Sequence, residues 1–521
     1  QVREETSRAF SYIAKLTLLL NADNNISLSV VGAPSSQSVP FSFNTLRRAE
    51  NGWRGGTIDT RDSNTISLRY QGKFFDKHLL VDASAGWFHL SRSNLPDDGS
   101  SFSDITANNG TAASTASVIY RRTTPHPITK FESLTAEGAA LCTDPATGMP
   151  SGDLCPATGN GGATYTIGGM GLLESAGLDR IQARASGTLF FQALGHHAVK
   201  AGVDVEHLRY DITTGYSGGL VLRESTSGAT FSDYRQYGVI TGPDQATRLP
   251  FQHSTPTSNG IGAFVQDSWQ IMDLVTLNAG VRYENQQLFG GDGALGLTLN
   301  NMLSPRIGVV YDFTQQGRSK LFANYARYYE AVPISIANRS LTGENQFQFV
   351  HNASGCDPVS AISQATAECQ DPANTRAINA ANGGDYDPSG SVLQTGAGKT
   401  PVDANLKPQS SDEIVLGGEY EVIHDGRAGV TYTHRYMNSV IEDLSVDEGS
   451  TYFIGNPGEG LASAFPRATR NYHAVTGYFT KAFNDGWMAQ ISYTYSTLTG
   501  NYNGLFRPET GQIDPNNNAD F

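Results

Sequence analysis

The clearest pattern in this chain is an alternation of apolar and polar residues within segments of strand length. From Val275 to Glu284, every second residue is apolar, and the residues between them are polar, charged or glycine. Because side chains point to alternate faces along a strand, such a segment has one apolar and one polar face. A soluble barrel needs an apolar interior. An apolar outside and a polar inside are typical of a barrel in a membrane.

The same alternation recurs along the chain and predicts about fourteen strands, joined alternately by short turns and long connections. The long connections are predicted at about 93–178, 212–258 and 333–408, and loops of that length are uncommon in compact soluble domains. We therefore predict an all-β fold, a transmembrane antiparallel β-barrel with short periplasmic turns and long extracellular loops. The predicted strands cover residues 7–21, 26–33, 63–74, 78–91, 180–193, 197–211, 262–269, 274–283, 304–311, 320–329, 411–422, 427–440, 470–483 and 487–498.

Composition narrows the class of protein further. Hydrophobic residues make up 39% of the 521 residues, and no run of 18 apolar residues occurs, which excludes a helical membrane protein. The net charge of −14 argues against a nucleic-acid partner, because phosphate binding needs a basic face. No His-Glu-x-x-His or phosphate-loop motif is present, and we do not expect an enzyme.

The four cysteines form two pairs in the sequence, each separated by twelve residues inside a long polar segment: Cys142 with Cys155, and Cys356 with Cys369. Four cysteines allow three connectivities, of which pairing within each segment is the simplest. Disulfides would indicate an oxidising compartment outside the cytoplasm. Four free thiols are the alternative, whereas a zinc site lacks further Cys or His ligands at suitable spacing.

Several short motifs add a family resemblance to this pattern. Phe264–Trp269, Leu277–Glu284 and Ser304–Gly308 resemble the middle of the barrel of TonB-dependent outer-membrane receptors. A second group of motifs resembles the Oar-like branch of that superfamily. These motifs are Leu406–Glu413, Tyr452–Gly460, Phe465–Tyr472 and Gly500–Phe506. The resemblance covers most of the chain and is recognisable as motifs from about residue 196 onward.

The resemblance implies that residues 1–521 are part of a barrel of about 22 strands whose plug and terminal strands lie outside this sequence. It also implies the outer membrane of a Gram-negative bacterium. The expected partners are outer-membrane lipid, the TonB complex acting through the plug, the plug and remaining strands, and an unknown extracellular ligand. The implied function is a transport receptor. A structural or adhesive surface protein and a passive porin are alternatives, and the substrate and the direction of transport stay open.

Two groups of polar residues are candidate sites. The first group would face the barrel interior and either line a ligand path, contact the plug or remain solvated: Arg69, Lys73, Arg282, Glu284, Arg306 and Asp312. The second group has the alternating oxygen ligands of calcium loops, but it lacks the glycine and final glutamate of an EF-hand. Its members are Asp514, Asn516, Asn518 and Asp520, for which a solvated loop is the alternative. Beyond this possible Ca²⁺ we expect no cofactor.

One further pair of residues, His196 and His197, lies at a predicted turn. Adjacent residues on a strand face opposite ways, so we do not expect these histidines to share one metal ion. Aromatic residues at strand ends, such as Trp87 and Tyr493, fit an interfacial girdle, with sugar stacking as the alternative.

Overall fold

Long antiparallel strands dominate the computed structural model of the chain. No helix among the residues that the structure describes is long and apolar enough to cross a membrane. The α-helices of the described residues are α1 at Ala136–Leu141 and α2 at Ile334–Ile336, and the other helices are short 3₁₀ or π segments. The residues described are 5–39, 47–48, 56–121, 123–158, 164–242, 245–272, 274–342, 346–352, 392–395, 400–445 and 452–502.

The largest sheet, which we call the wall, contains seventeen strands. They are β1 (Thr6–Ala9), β2 (Tyr12–Asn21), β3 (Asn24–Gly32), β4 (Ser35–Val39), β5 (Thr57–Phe74), β6 (Leu79–Pro96), β7 (Leu172–Gln192), β8 (His196–Tyr216), β9 (Phe251–Ser254), β10 (Thr257–Ile271), β11 (Val275–Phe289), β12 (Leu295–Tyr311), β13 (Ser319–Tyr329), β14 (Ser410–Ile423), β15 (Gly426–Ser439), β16 (Arg470–Asn484) and β17 (Trp487–Gly500).

The wall strands are antiparallel and pair in chain order. Strands β3 and β4 both pair with β5, and β9 and β10 both pair with β8, so each of these pairs occupies one position in the sheet. Strand β1 pairs with β4, and strand β2 pairs with β3, so β1 and β2 also occupy one position in the sheet. Within the described residues, β2 and β17 each have one partner, β3 and β16 respectively. Strand β17 is therefore one edge of the wall, and β2 together with β1 is the other.

Tight turns join the wall strands at one end of the sheet. Asp425, Asp485 and Gly486 occupy such turns with positive φ, a backbone conformation that aspartate tolerates and glycine favours. The His424–Gly426 and Asn484–Gly486 turns therefore lie where the sequence predicts them. The connections at the opposite end are long.

The alternation seen in the sequence gives the wall an apolar face, which is exposed in the part of the chain that the structure describes. Ile491 is 65% exposed, Tyr493 73% and Val281 38%. Exposed apolar side chains of this number and continuity mark a surface that meets another apolar phase. Further exposed members of this face are Val265, Leu303, Ile307, Leu321, Leu416, Val430 and Val475.

A second sheet of eight strands is built from the long connections. It encloses a core whose Val118, Ile167 and Leu222 are fully buried, and in which Tyr120 packs edge-on against Phe131. The segments predicted as polar loops therefore contain a folded unit, which we call the covering sheet. Its strands are Arg47–Arg48, Ser117–Tyr120, Tyr165–Gly168, Leu220–Glu224, Thr230–Gly242, Gln245–Leu249, Gln346–Asn352 and Val392–Thr395.

A separate core packs the remaining connections against β11 and β12. Leu288 and Leu299 from these strands contact Leu341, Ile441 and Ile454, and all five are buried. A two-stranded sheet of Glu442–Ser445 and Tyr452–Gly455 lies beside this core. The long connections are thus anchored to the wall by apolar packing as well as by hydrogen bonds.

Candidate functional site

The face of the wall opposite the apolar face carries most of the predicted site residues. Directly paired residues on antiparallel strands point to the same face. One ladder of such pairs runs across six strands, from Arg69 on β5 to Glu284 on β11. Its members are Arg69, Ser84, Arg184, Asp204, Gly262 and Glu284. We call this side of the wall the charged face.

Arg282 is the centre of an ion-pair cluster on the charged face. Its Nη1 lies 2.7 Å from Asp204 Oδ1, and its Nη2 lies 3.0 Å from Asp204 Oδ2. The same Nη2 lies 2.9 Å from Glu284 Oε1. A two-point contact of this kind fixes the plane of the guanidinium group as well as its position. The sequence predicted Arg282 and Glu284 on this face, but it did not identify Asp204 as their partner.

The contact between Arg282 and Asp204 passes over the intervening strand β10. Asp204 pairs directly with Gly262, which pairs directly with Glu284. A Cβ atom at position 262 would lie 2.3 Å from Arg282 Nη2 and 2.9 Å from Asp204 Oδ2. The absence of a side chain at Gly262 therefore opens the space through which the guanidinium reaches Asp204.

The other predicted residues of the charged face are less buried. Arg69 pairs with Asp82 on the neighbouring strand at 2.5 Å, and its side chain is 53% exposed. Lys73 and Arg306 lie on a second ladder of paired residues, and the Arg306 guanidinium lies 5.2 Å from the centre of the Tyr328 ring. The residues between Lys73 and Arg306 on that ladder are Leu80, Thr188, Lys200, Gln266 and Gly280.

Asp312 differs from the expectation that it faces the barrel interior. Strand β12 ends at Tyr311, and Asp312 begins the turn to β13. Its carboxylate accepts hydrogen bonds from Ser319 Oγ and Thr314 Oγ1, each at 2.6 Å, and from the Gly317 backbone N–H at 2.7 Å. Hydrogen bonds from the Ser319 and Thr314 hydroxyls hold the pKa of Asp312 well below its usual value. Asp312 is thus an anchor of the turn.

The two turn histidines lie on opposite faces of β8. His197 stacks between Phe191 and Trp269, with ring centres 4.9 Å and 5.2 Å away, and its Nδ1 lies 2.7 Å from Asp267 Oδ2. His196 Nδ1 instead lies 3.3 Å from Gln192 Nε2. The three stacked rings form an aromatic patch on the apolar face, near the end of the wall that carries the tight turns.

A polar cluster, which the sequence analysis did not identify, interrupts the apolar face at the end near the long connections. Asp412 is 2% exposed and accepts hydrogen bonds from Arg327 Nε at 2.7 Å and Nη2 at 2.8 Å. The Tyr325 and Tyr436 hydroxyls donate to the same carboxylate. One strand further along, His434 stacks on His473, with ring centres 4.2 Å apart. These groups mark the limit of the apolar band on strands β13–β16.

Asn456 joins two of the long connections, the one between β13 and β14 and the one between β15 and β16. Its Nδ2 donates to Val440 O at 2.7 Å and to Lys407 O at 3.0 Å, and its Oδ1 accepts from Lys407 N at 2.7 Å. The Ser439 hydroxyl completes the shell at 3.1 Å. Two motifs of the family resemblance, around residues 406–413 and 452–460, are therefore in contact through one amide. Separation in sequence hid this contact from the sequence analysis.

The disulfide prediction is confirmed for Cys142 and Cys155, which are bonded in the structure. They lie in the connection between β6 and β7, which also supplies two strands of the covering sheet. Cys356 and Cys369 lie outside the described residues, and so do the calcium candidates Asp514, Asn516, Asn518 and Asp520. Their pairing and their metal binding stay predictions. The described residues contain no group of three or more His, Cys, Asp or Glu side chains suited to a metal ion.

Comparison with known proteins decides what kind of sheet the wall is. Residues 10–462 match the family described as TonB dependent receptor-like, beta-barrel. The chain belongs to this family. It is also 43% identical over 544 residues to the TonB-dependent transporter Oar of Myxococcus xanthus. The aligned region covers 99% of this chain and 49% of that protein. The chain thus spans about half the length of the relative it matches.

Solved structures show the same fold at low sequence identity. The outer membrane transporter YddB of Escherichia coli matches 95% of this chain and 49% of its own, with a TM-score of 0.53 and 13% identity. The pyoverdine outer membrane receptor FpvA of Pseudomonas aeruginosa, bound to pyoverdine, matches 95% of this chain and 54% of its own, with a TM-score of 0.51 and 10% identity. At these sequence identities, the similarity to the solved structures shows only that the folds are alike.

Membership of the receptor family confirms several of the sequence predictions. The all-β antiparallel fold is confirmed, and so is the resemblance to the Oar-like branch. The family places the protein in the outer membrane of a Gram-negative bacterium. The family is one of receptors and transporters, which fits the expectation that the chain is not an enzyme.

Proposed function

We propose that this chain forms part of the barrel of an outer-membrane TonB-dependent transport receptor, which binds a ligand outside the cell and passes it through a plugged barrel. The observation that carries the proposal is the 43% identity to the transporter Oar over 99% of this chain. The outer membrane has no ATP and no maintained potential, so active transport needs a force supplied from the periplasm. We therefore include the TonB complex, acting through a plug, among the partners.

The edges of the wall support a closed barrel larger than the part described here. Unpaired backbone groups are not tolerated in the hydrocarbon region of a membrane, so an open wall needs further strands at both edges. We propose a barrel of about 22 strands, of which this chain supplies about fourteen positions. Strands from the rest of the polypeptide would pair with β2 and β17.

The charged face is the proposed lining of the barrel interior. Arg282 is held within the wall by Asp204 and Glu284, and Arg69 is held by Asp82. Lys73 and Arg306 make no ion pair with the described carboxylates, so they are available to a plug or a passing ligand. We propose that these two side chains contact the plug.

We propose that the covering sheet forms part of the surface that captures the ligand outside the cell. Its buried core and the Cys142–Cys155 disulfide restrict the number of conformations that the connections adopt. A surface with fewer conformations loses less entropy when it binds a ligand. The long connections are therefore suited to hold a preformed binding surface outside the cell.

Binding to TonB tests the transport function directly. The full-length protein, purified in a neutral detergent, would be titrated with the purified periplasmic domain of TonB from the same bacterium. We expect saturable binding that disappears when the segment of the full-length protein upstream of the plug is deleted. A matched deletion of residues 136–155, in the connection between β6 and β7, should leave TonB binding unchanged.

A cellular comparison tests transport itself. Strains lacking this protein and strains lacking TonB would be compared with wild type for the proteins and metabolites in the cells and in the medium. We expect at least one compound or protein whose distribution changes in the same direction in both strains. Absence of TonB binding together with an unchanged distribution in the first strain would contradict the proposal and favour a non-transporting surface protein.

A further inference from the structure

The apolar face of the wall is not evenly covered by large side chains. On strands β5–β8 it contains a groove of about 370 Å³, which we call the alanine groove. Its floor lies on the two middle strands, β6 and β7. Ala85 pairs directly with Ala183, and Ala83 pairs directly with Ala185, so the register of the wall fixes the floor.

Larger apolar side chains form the two sides of the alanine groove. Leu68 and Tyr70 belong to β5, and Val203 and Val205 belong to β8. Leu68 and both valines are exposed, as expected for side chains that point away from the sheet on this face. The Tyr70 hydroxyl donates to Asn24 Oδ1 at 2.6 Å, which fixes the position of its ring. The sides therefore stand above a floor that only methyl groups cover.

A polar cluster closes the alanine groove at the end near the long connections. Trp87 and His89 follow Ala85 on the same face of β6, and their rings stack with centres 5.6 Å apart. Asp179 on β7 pairs directly with His89. Its Oδ1 accepts from Trp87 Nε1 at 3.0 Å and lies 2.8 Å from His89 Nδ1. A carboxylate is costly in the hydrocarbon core, so this cluster marks the level at which lipid head groups begin.

The alanine groove is open toward the tight turns. The next pair of positions on its floor is Val81 with Gly187, and Gly187 has no side chain to close it. The six residues from Val81 to Trp87 span about 20 Å along the strand, which is about 15 Å across a membrane for a strand tilted by about 40°. One leaflet of a bilayer contains about 15 Å of hydrocarbon. The groove therefore has the depth of one leaflet.

An acyl chain fits both the lining and the depth of the alanine groove. The groove is continuous with the apolar face, which meets lipid in a membrane barrel, so a lipid enters it from the side. Carbon atoms gain dispersion contacts when they pack against neighbours on several sides instead of one. A chain in the groove contacts the floor and both sides, and it is held more firmly than a chain on the flat part of the face.

We propose that the alanine groove binds an acyl chain of a lipid from the outer leaflet, with the lipid head group beside Trp87, His89 and Asp179. The choice of leaflet rests on the proposed barrel, in which the long connections lie outside the cell. Neither TonB nor transport is needed for binding. The groove holds this lipid more tightly than the apolar face holds the lipids around it.

Native mass spectrometry of the full-length protein tests the proposal. The delipidated protein in a neutral detergent would be titrated with palmitoyl-oleoyl phosphatidylethanolamine. We expect one lipid to stay bound at collision energies that remove the others. In the Ala85→Leu/Ala183→Leu variant the leucine side chains fill the floor, so the affinity of this tightest site should fall about tenfold, equivalent to about 1.4 kcal/mol.

Ala279→Leu/Ala323→Leu is the matched control variant. Ala279 pairs with Ile307 and Ala323 pairs with Val309, so both alanines lie on the apolar face but outside the groove. The heat-dependent shift in gel migration of folded barrels checks that both variants are folded. The control should keep the tightest lipid. A lipid that is bound equally well after the groove is filled, or that is lost equally from the control, would overturn the proposal.

A second measurement locates the bound chain. The same lipid, carrying a photoreactive diazirine on its acyl chain, would be crosslinked at one lipid per protein, and the labelled residues would be mapped by mass spectrometry. We expect labels within residues 68–70, 83–85, 183–185 and 203–205. Labels spread evenly over the apolar face, or a dimer that is lost when the groove is filled, would overturn the proposal. Filling the groove should leave TonB binding unchanged, so this proposal and the proposed function fail independently.

Discussion

Arg282 on β11 forms a two-point ion pair with Asp204 on β8, although a complete strand, β10, lies between them. The pair exists because β10 presents Gly262 at the crossing point, where a Cβ would lie 2.3 Å from Arg282 Nη2. A position without a side chain on one strand thus permits an electrostatic contact between two others. This contact ties three strands of the wall together on the charged face.

The first prediction concerns this crossing point. Gly262→Ala should displace the Arg282 guanidinium and lower the free energy of unfolding by about 1 kcal/mol, a modest amount because both partners are partly exposed. The measurement is the urea unfolding midpoint of the detergent-folded barrel. Gly260→Ala is the matched control on the same strand and face, because the nearest atom to its Cβ would lie 3.8 Å away. Equal effects of the two variants would contradict this account of Gly262.

The second prediction concerns the turn at Asp312. Asp312→Asn should lower the unfolding midpoint at neutral pH, because the amide replaces one acceptor oxygen with a donor, which then faces the backbone N–H of either Thr314 or Gly317. The carboxylate has a lowered pKa in the folded protein, so its contribution is present above the usual value of 3.8 and is lost as the pH falls through the folded value. The measurement is the unfolding midpoint as a function of pH.

The difference in unfolding midpoint between the wild-type protein and Asp312→Asn should therefore become smaller below about pH 4. Asp485→Asn is the control, since Asp485 also occupies a wall turn but its carboxylate accepts no hydrogen bond from the described residues. A gap that stays constant from neutral to acidic pH would show that the effect of the variant does not depend on the charge of Asp312.

The third prediction concerns the connection held by Asn456. Asn456→Ala removes four hydrogen bonds and leaves the Val440 carbonyl and the Lys407 backbone groups without this partner. Buried groups that lose a partner cost about 1–3 kcal/mol. We expect faster hydrogen exchange in residues 400–409 and 452–462, measured by mass spectrometry, with little change in the wall strands.

Asn405→Ala is the control for this variant, because Asn405 lies in the same segment, is exposed, and contributes only its backbone N–H to a hydrogen bond. Exchange in the control should match the wild-type protein. Unchanged exchange in Asn456→Ala would mean that the apolar core around Ile454 holds the connection without the amide.

The fourth prediction concerns the disulfide in the connection between β6 and β7. The Cys142→Ala/Cys155→Ala variant lacks the disulfide, so the unfolded loop has more conformations. Closing a loop of this length contributes about 3 kcal/mol to the free energy of unfolding, and the variant loses that contribution. Limited digestion with thermolysin should then cleave next to Leu141 and Leu154, which are 77% and 52% exposed. Cys356→Ala/Cys369→Ala should leave cleavage of this segment at the wild-type rate. Equal cleavage rates in both variants and wild type would show that the disulfide does not limit local unfolding.

The wall was predictable because each of its strands meets two different environments along its whole length. Val281 and Arg282 are neighbours in sequence but lie on opposite faces, and the same alternation of apolar and polar residues continues along the strand. Turn residues such as Asp485 and Gly486 then mark where the chain reverses. Alternation does not show where a strand ends, and for this reason Asp312 was placed on a face instead of in a turn.

The covering sheet was not predictable from local pattern. Its strand Leu220–Glu224 pairs in parallel with Ser117–Tyr120, about a hundred residues earlier, and both are short and buried. Short buried strands lack the alternation that identified the wall. Their partners come from different connections, so pairing depends on how the wall brings those connections together.

The sequence by itself determined the two faces of the wall, its turns and its family, because these follow from side-chain alternation and from motifs that are continuous in the chain. Only the tertiary structure decided which charges meet. Asp204 lies 78 residues before Arg282. The register of hydrogen-bonded strands sets the distance between them, and register is a property of the assembled sheet.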